Sequence, residues 1–194
     1  SIEYTYASMC WNGCKGKGTI CGAGPATPPE PTETEEPYKG AISIPGKVEA
    51  ENYDKGGNGF GYSDSDDENE GGKYRNDGVD IVSGGSNYAV GYTTDSEWLK
   101  YTINVEESGD YDISASASNG NNDIELNLTL DGKSLITLSG SSTSDWDTYT
   151  SIKGKKSVSL TKGEHTLILK FGTSYCNVDY VQIVKAGSST GEEG

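Results

Sequence analysis

In the segment EWLKYTINV at residues 97–105, Leu99, Tyr101, Ile103 and Val105 fall on one side of an extended chain and Lys100, Thr102 and Asn104 on the other. A period of two is the mark of a half-buried strand, and the chain repeats it. Tyr111, Ile113, Ala115 and Ala117 alternate in the same way, as do Ile124, Leu126, Leu128 and Leu130. Asp131-Gly132 follows at once, a pair that tolerates the positive φ of a two-residue hairpin turn. Further strands are read at 146–152, 157–160, 166–171 and 178–184, joined by turns such as Lys162-Gly163. Eight or nine short strands with no helical pattern between them exclude a parallel α/β sheet. They predict an all-β fold, an antiparallel β-sandwich of jelly-roll type.

This pattern does not fill the whole chain of 194 residues. Residues 1–24 carry Cys10, Cys14 and Cys21 without apolar periodicity and read as an N-terminal extension, the end of a preceding module. Residues 25–41 gather five of the six prolines with Thr and Glu, the composition of an extended, solvated linker. The sandwich is expected over 42–186, and 187–194 read as a tail of linker chemistry. Fifteen basic against thirty acidic residues leave a net charge of −15, which repels nucleic acid and anionic membranes. No apolar run approaches the roughly 18 residues of a membrane helix, and Ser1 does not begin a signal peptide. A single histidine excludes a multi-histidine metal site, and any Ser-His-Asp triad must be built around His165.

Several residues stand where chemistry could be carried. In VEAENY, Glu49 and Glu51 are two apart on an expected strand and so share a face. A hard cation such as Ca²⁺ would balance them, and a solvated edge-strand face accounts for the same pair without one. Tyr74, in KYRNDGVDI, and Trp146, in STSDWDTYT, border loops from which a ring can stand out. Two rings facing each other across a gap would stack on the apolar faces of a sugar, whereas partly buried sandwich residues are the plainer reading of each. Asp95 and Glu97 form another same-face pair, usable as the acid and base of a jelly-roll glycosidase or lyase, or simply a polar strand entry. His165 reads as a hydrogen-bonded surface residue. The loop SDSDDENEGG lacks the ligand order of an EF-hand, and the sequon at Asn127 falls in mid-strand. The cysteine spacing is not that of a zinc ribbon and suits an oxidising compartment. Four cysteines allow three full pairings, each of which would tie Cys176 to the N-terminal extension, whereas a free Cys176 would leave one N-terminal cysteine odd.

From about Ile44 to Lys185 the order of motifs resembles the family 6 carbohydrate-binding modules of secreted plant-polysaccharide hydrolases. The matching pieces are VEAENYD at 48–54, KYRNDGVDI at 73–81, YAVGYTTDSEWLKYTINV at 88–105, SGDYDISA at 108–115, DWDTY at 145–149, KGEHTLILKF at 162–171 and CNVDYVQI at 176–183. The resemblance implies a non-catalytic, extracellular, monomeric module that binds a plant cell-wall β-glycan, xylan first among them, and targets a catalytic module of the same enzyme. It implies a sugar held between Tyr74 and Trp146, with Asn177 bonding its hydroxyls, and Tyr149 as the alternative to Trp146. It also implies a structural Ca²⁺ held by Glu49, Glu51 and Asp179. Some family members use a second sugar site on the concave sheet face. A protein-binding adhesion module is the remaining alternative to the glycosidase and the glycan binder. The Cys-bearing leader and Cys176 depart from the family pattern.

Overall fold

The alternating segments become two facing sheets in the computed structural model, which describes residues 34–188. The expectations for residues 1–24, most of the linker, Cys10, Cys14, Cys21 and the end of the tail lie outside those residues. The strands are β1 (Ile42–Ile44), β2 (Gly46–Glu49), β3 (Tyr62–Ser63), β4 (Ile81–Gly84), β5 (Asn87–Val90), β6 (Trp98–Val105) and β7 (Gly109–Ser118). They continue with β8 (Ile124–Leu130), β9 (Lys133–Gly140), β10 (Thr150–Lys153), β11 (Val158–Leu160), β12 (Gly163–Phe171) and β13 (Asn177–Lys185). One sheet runs β1-β6-β12-β8-β9, with β3 added on β6. The other runs β10-β7-β13-β5-β4, with β11 on β7 and β2 on β13. Pairing is antiparallel except between β1 and β6. The chain is thus an all-β, two-sheet sandwich.

The sheets meet where the alternation placed its apolar faces. Leu99, Tyr101, Ile103 and Val105 of β6 and Tyr111, Ile113, Ala115 and Ala117 of β7 are all buried in one core. Full burial of each larger side chain contributes about 1.5–3 kcal/mol, so this layer supplies the main force holding the sheets together. Buried polar groups in it are satisfied. The Tyr101 hydroxyl donates to the Ala50 carbonyl at 2.9 Å, and the Tyr53 hydroxyl donates to Asp77.

Two expectations about local structure are corrected. Among the described residues thirteen strands form rather than eight or nine, because β1 to β5 span only two to four residues each, too few for periodicity to emerge in a Gly- and Asp-rich stretch. Trp146 does not open a strand. Residues 145–149 are loop, where Asp145 accepts the backbone N–H groups of Asp147 (2.6 Å) and Thr148 (3.2 Å), and β10 begins only at Thr150.

The hairpin turn at Asp131-Gly132 forms as expected, with φ of 49° and 75°. Asp131 also reaches across to β12, its Oδ1 accepting the Thr166 N–H at 2.9 Å and its Oδ2 facing His165 Nδ1 at 2.7 Å. His165 Nε2 lies 2.8 Å from the Thr161 carbonyl, so both ring nitrogens face acceptors. The hydrogen bond to Asp131 raises the His165 pKa and lowers that of Asp131. The raised histidine contributes stability below its unfolded value near 6.5 that is lost as pH rises through the folded value. The lowered aspartate contributes stability above about 3.8 that is lost as pH falls. Thermal denaturation should therefore show His165→Ala destabilised by up to about 1 kcal/mol at pH 5.5, on the scale of an exposed ion pair, and much less at pH 8.5. An equal loss at both pH values would contradict this assignment.

Candidate functional site

Most large apolar side chains are consumed by the core. Four among the described residues are exposed, Phe60, Tyr92, Trp146 and Tyr175, and three of these line a single cleft. The cleft has a volume of about 500 Å³ and is completed by Asn177, Asp147 and the β4 residues Val82 and Ser83. It lies where the loop after β5, the loop before β10 and the loop before β13 come together. Its size falls within the ~300–1,000 Å³ typical of small-ligand sites.

Trp146 is held through its backbone and presented through its ring. Its carbonyl accepts from the Ser118 hydroxyl and from Asn177 Nδ2 at 3.1 Å. The loop is tied to the end of β7 by the Thr143 N–H to Asn119 carbonyl bond (3.0 Å) and the Asn119 N–H to Thr143 Oγ1 bond (3.1 Å). The indole leans on Gly120. A Cβ at that position would lie 2.6–2.8 Å from three ring atoms, so only glycine lets the ring sit where it does. Gly120→Ala should swing the indole out of place and weaken ligand binding by about tenfold, with less than ~1 kcal/mol lost from stability because the displaced ring is half exposed. Titration against any bound glycan, with tryptophan fluorescence as a monitor of the ring, checks this. Unchanged affinity would show that the ring position does not matter.

Asn177 opens β13, paired with Ser118 of β7, and is 9% exposed. Its Oδ1 would lie 2.8 Å from a Cβ on Gly91, so glycine is again needed for the close approach. Tyr92 follows Gly91 directly and adopts φ of 50°, which turns its ring outward at 57% exposure.

The sequence-derived trio is thus divided. Trp146 and Asn177 are brought together, while Tyr74 stands outside the cleft and does not face Trp146. The next residue, Arg75, explains why. Its guanidinium is buried between the rings of Tyr53 (3.6 Å) and Tyr38 (4.2 Å), pairs with Asp77 at 2.8 Å and donates to the Tyr53 carbonyl, anchoring the segment in the fold. Tyr74 packs against Tyr88 with centroids 4.9 Å apart, meets Tyr38 edge-on at 5.7 Å and donates its hydroxyl to Asn52 Oδ1 at 2.7 Å. Tyr149 is half-buried, its phenol pushed up to about 12 by burial. Tyr92 and Tyr175 occupy the cleft without having been singled out. The signal for Tyr92 was the Gly-Tyr-Thr-Thr-Asp run, turn chemistry in which an aromatic has no strand neighbour to pack on.

The expected cation ligands are placed by different elements. Glu49 ends β2, but Ala50–Asn52 form a 3-10 turn, so Glu51 does not share a strand face with Glu49, contrary to the expectation from their spacing. Asp179 sits at a β-bulge in β13, where register shifts between Val178 and Tyr180 re-aim its side chain. Its Oδ2 accepts the Ser86 N–H and its Oδ1 the Ser86 hydroxyl, each at 2.9 Å. Burial pushes Glu51 up to about 7, with Glu49 and Asp179 adding to the rise. Glu49 is raised by burial and by Asp179. Among the described residues, Glu51 Oε2 is the only buried side-chain polar atom lacking a partner. No three acidic, His or Cys side chains there stand in ligating geometry as they are. The donor chemistry still fits a hard cation. Three mutually repelling carboxylates, one with an orphaned oxygen, are what such an ion would satisfy.

The other candidates resolve into structural roles. Glu97 is buried and accepts from the N–H groups of Ser65 (3.0 Å) and Thr94 (2.8 Å) and from the Thr94 hydroxyl (2.6 Å), while Asp95 is exposed. Both oxygens of Glu97 are thus engaged in holding the surrounding loops. Cys176 is fully buried, its thiol pushed up to about 12, and has no disulfide partner among the described residues. A wider groove of about 770 Å³ crosses the outer face of β7, β10 and β13, but it carries lysines and the half-buried Tyr180 rather than exposed rings.

A family model described as carbohydrate binding module (family 6) matches residues 49–185. Among solved structures, a family 6 module of Clostridium stercorarium in complex with cellobiose is 23% identical, with a TM-score of 0.56 over 76% of this chain and 98% of that one. A family 6 module of Clostridium cellulolyticum in complex with xylose is 22% identical, with a TM-score of 0.54 over 74% and 99%. A β-1,3-glucan-binding module of Bacillus halodurans is 14% identical, with a TM-score of 0.56 over 74% and 98%. The cycloisomaltooligosaccharide glucanotransferase of Niallia circulans is 27% identical over 104 residues, 52% of this chain but only 10% of that protein.

Proposed function

The chain belongs to the family 6 carbohydrate-binding modules, non-catalytic domains that bind glycans, and on that premise we propose that it takes a plant cell-wall β-glycan, xylan first, in the cleft of Tyr92 and Trp146. The observation that carries this reading is the convergence on one cleft of three of the four large apolar side chains exposed among the described residues, beside a buried asparagine amide. Tyr92 and Trp146 stack on the two apolar faces of a sugar, and Asn177 offers its amide to the hydroxyls. A net charge of −15 suits a neutral glycan and opposes a polyanionic one. Xylan is supported by the motif resemblance and by the neighbour bound to xylose, while the cellobiose and β-1,3-glucan neighbours make glucans the competitors.

Glu49, Glu51 and Asp179 hold a structural Ca²⁺ in this reading. The ion would supply charge neutralisation at the junction of β2 and β13, and the chain's own residues do the sugar binding. The module works outside the cell as a monomer, and its Pro/Thr/Glu segment tethers it to a hydrolase. The tether raises the effective concentration of that catalytic domain at an insoluble surface. Affinity electrophoresis tests the binding: migration should be retarded by soluble arabinoxylan more than by hydroxyethylcellulose, with no reducing sugar released. Migration unchanged by either polymer would overturn the reading.

A further inference from the structure

Two of the three loops that form the cleft are joined by a fourth that does not line it. Asn119 to Asp123 connect β7 to β8 and stand outside the lining, yet their hydrogen bonds run to both neighbours. On one side the Asn119 carbonyl accepts from the Thr143 N–H at 3.0 Å and the Ser142 hydroxyl at 2.7 Å, and Asp123 Oδ1 accepts the Ser142 N–H at 3.1 Å. On the other, Asn119 Nδ2 and Asn122 Nδ2 both donate to the Ser174 carbonyl, at 3.0 and 3.3 Å, and the Thr173 hydroxyl donates to the Asp123 carbonyl at 2.9 Å. Thr143 is three positions before Trp146 (146 − 143), and Ser174 is three before Asn177 (177 − 174). We propose that Asn119 and Asn122 are positioning residues of the cleft. By converging on the Ser174 carbonyl they fix the Trp146 wall against the wall of Tyr175 and Asn177, and so set the affinity for a neutral glycan that neither of them touches. That role rests on the cleft being the sugar site.

Asn119 is fully buried and uses both ends of its amide. Its Oδ1 accepts the N–H groups of Asn121 at 3.0 Å and Asn122 at 2.8 Å, which curls the loop, while its Nδ2 reaches Ser174. Aspartate would still curl the loop but would turn an acceptor toward the Ser174 carbonyl. Alanine would leave the two N–H groups without that acceptor.

The segment that carries Ser174 is also tied to the loop of Tyr92. Ser174 Oγ accepts the Asp95 N–H at 3.0 Å, and the Tyr175 N–H donates to the Thr93 carbonyl at 2.7 Å. The bridge from Asn119 and Asn122 adds the Trp146 loop to the same frame. Asn177 Nδ2 also reaches the Trp146 carbonyl, but that bond uses an amide hydrogen of a residue lining the cleft. The bridge leaves the groups that face a sugar free. Supporting bonds of this kind hold a site to within about 0.5 Å of its working geometry, and the ligand then loses less free energy in ordering it.

Titration calorimetry with xylohexaose and ¹⁵N spectra of the ligand-free full chain test this together. Asn122→Ala and Asn122→Asp, neither able to donate, should each weaken binding about threefold with the melting temperature within about 2 °C, because Asn122 is only half-buried. Asn119→Asp should weaken it about tenfold. In the ligand-free spectra the Tyr175 backbone amide and the Asn177 side-chain amide should shift in all three variants while the Trp98 indole does not, a displacement that a loss of stability alone would not produce. If the buried carboxylate keeps Asn119→Asp from folding, the two Asn122 variants decide. A folded variant of either residue that binds as tightly as the unsubstituted chain overturns the positioning role and leaves the sugar site standing. An unsubstituted chain silent with both xylohexaose and cellohexaose overturns the sugar site, and unmoved Tyr175 and Asn177 amides overturn the positioning role whether or not a sugar binds.

Discussion

Replacing Trp146 with alanine should abolish measurable glycan binding while the melting temperature stays within about 2 °C. The indole is the one large ring in the cleft whose position is fixed from both ends, by the hydrogen bonds to its carbonyl and by Gly120 behind its ring. Removing it takes away one wall of the stack, and an aromatic anchor that its ligand covers is typically worth about 2 kcal/mol or more, about thirtyfold in affinity. For a ligand bound weakly at the outset, that moves binding out of range. The fold is spared because the ring is 50% exposed and the stabilising contacts of the loop are made by main chain, Asn119 and Thr143. Titration alongside thermal denaturation separates the two effects. Retained affinity would mean that the sugar is held elsewhere, and an unfolded variant would mean that the loop depends on the ring.

The second large effect concerns Ca²⁺. If Glu49, Glu51 and Asp179 hold the ion, removing it should lower the melting temperature by about 5–10 °C. An ion present at about 100 times its dissociation constant stabilises by ~2.7 kcal/mol, and a domain of this size loses about 2–4 °C per kcal/mol. The Glu51→Gln chain should lose most of this response. Without the ion, the same substitution should cost nothing above pH 7, because it replaces a buried carboxyl whose charge the fold already disfavours. Melting unaffected by thorough chelation would leave the three carboxylates as a cluster of the fold with no cation to hold.

How much of this was legible in the sequence varied with the length of the pattern. Strands β6 to β8 and the Asp131-Gly132 turn could be read directly, because seven or more residues of alternation and a turn with one favoured geometry leave few alternatives. Strands β1 to β5 could not, since two to four residues do not establish a period. Trp146 and Asn177 were singled out and the structure gathers them at one cleft, but local pattern could not tell Tyr74, which lies outside it, from Tyr92, which lines it. Both follow or precede turn residues and both adopt positive φ. What separates them is tertiary: the neighbour of Tyr74 is an arginine buried between two rings, while Tyr92 follows a glycine pressed against Asn177. Glu51 shows the same limit. Its spacing from Glu49 suggested one strand face, yet a 3-10 turn and a bulge 128 residues further on (179 − 51) are what bring the carboxylates near one another.

The most direct test of the central claim is titration calorimetry of the whole chain with xylohexaose and, in parallel, cellohexaose, in calcium-containing buffer. Saturable heat with xylohexaose, less with cellohexaose and none with either for the Trp146→Ala chain is the predicted result. Silence with both sugars, or identical binding by the Trp146→Ala chain, would contradict a β-glycan site between Tyr92 and Trp146.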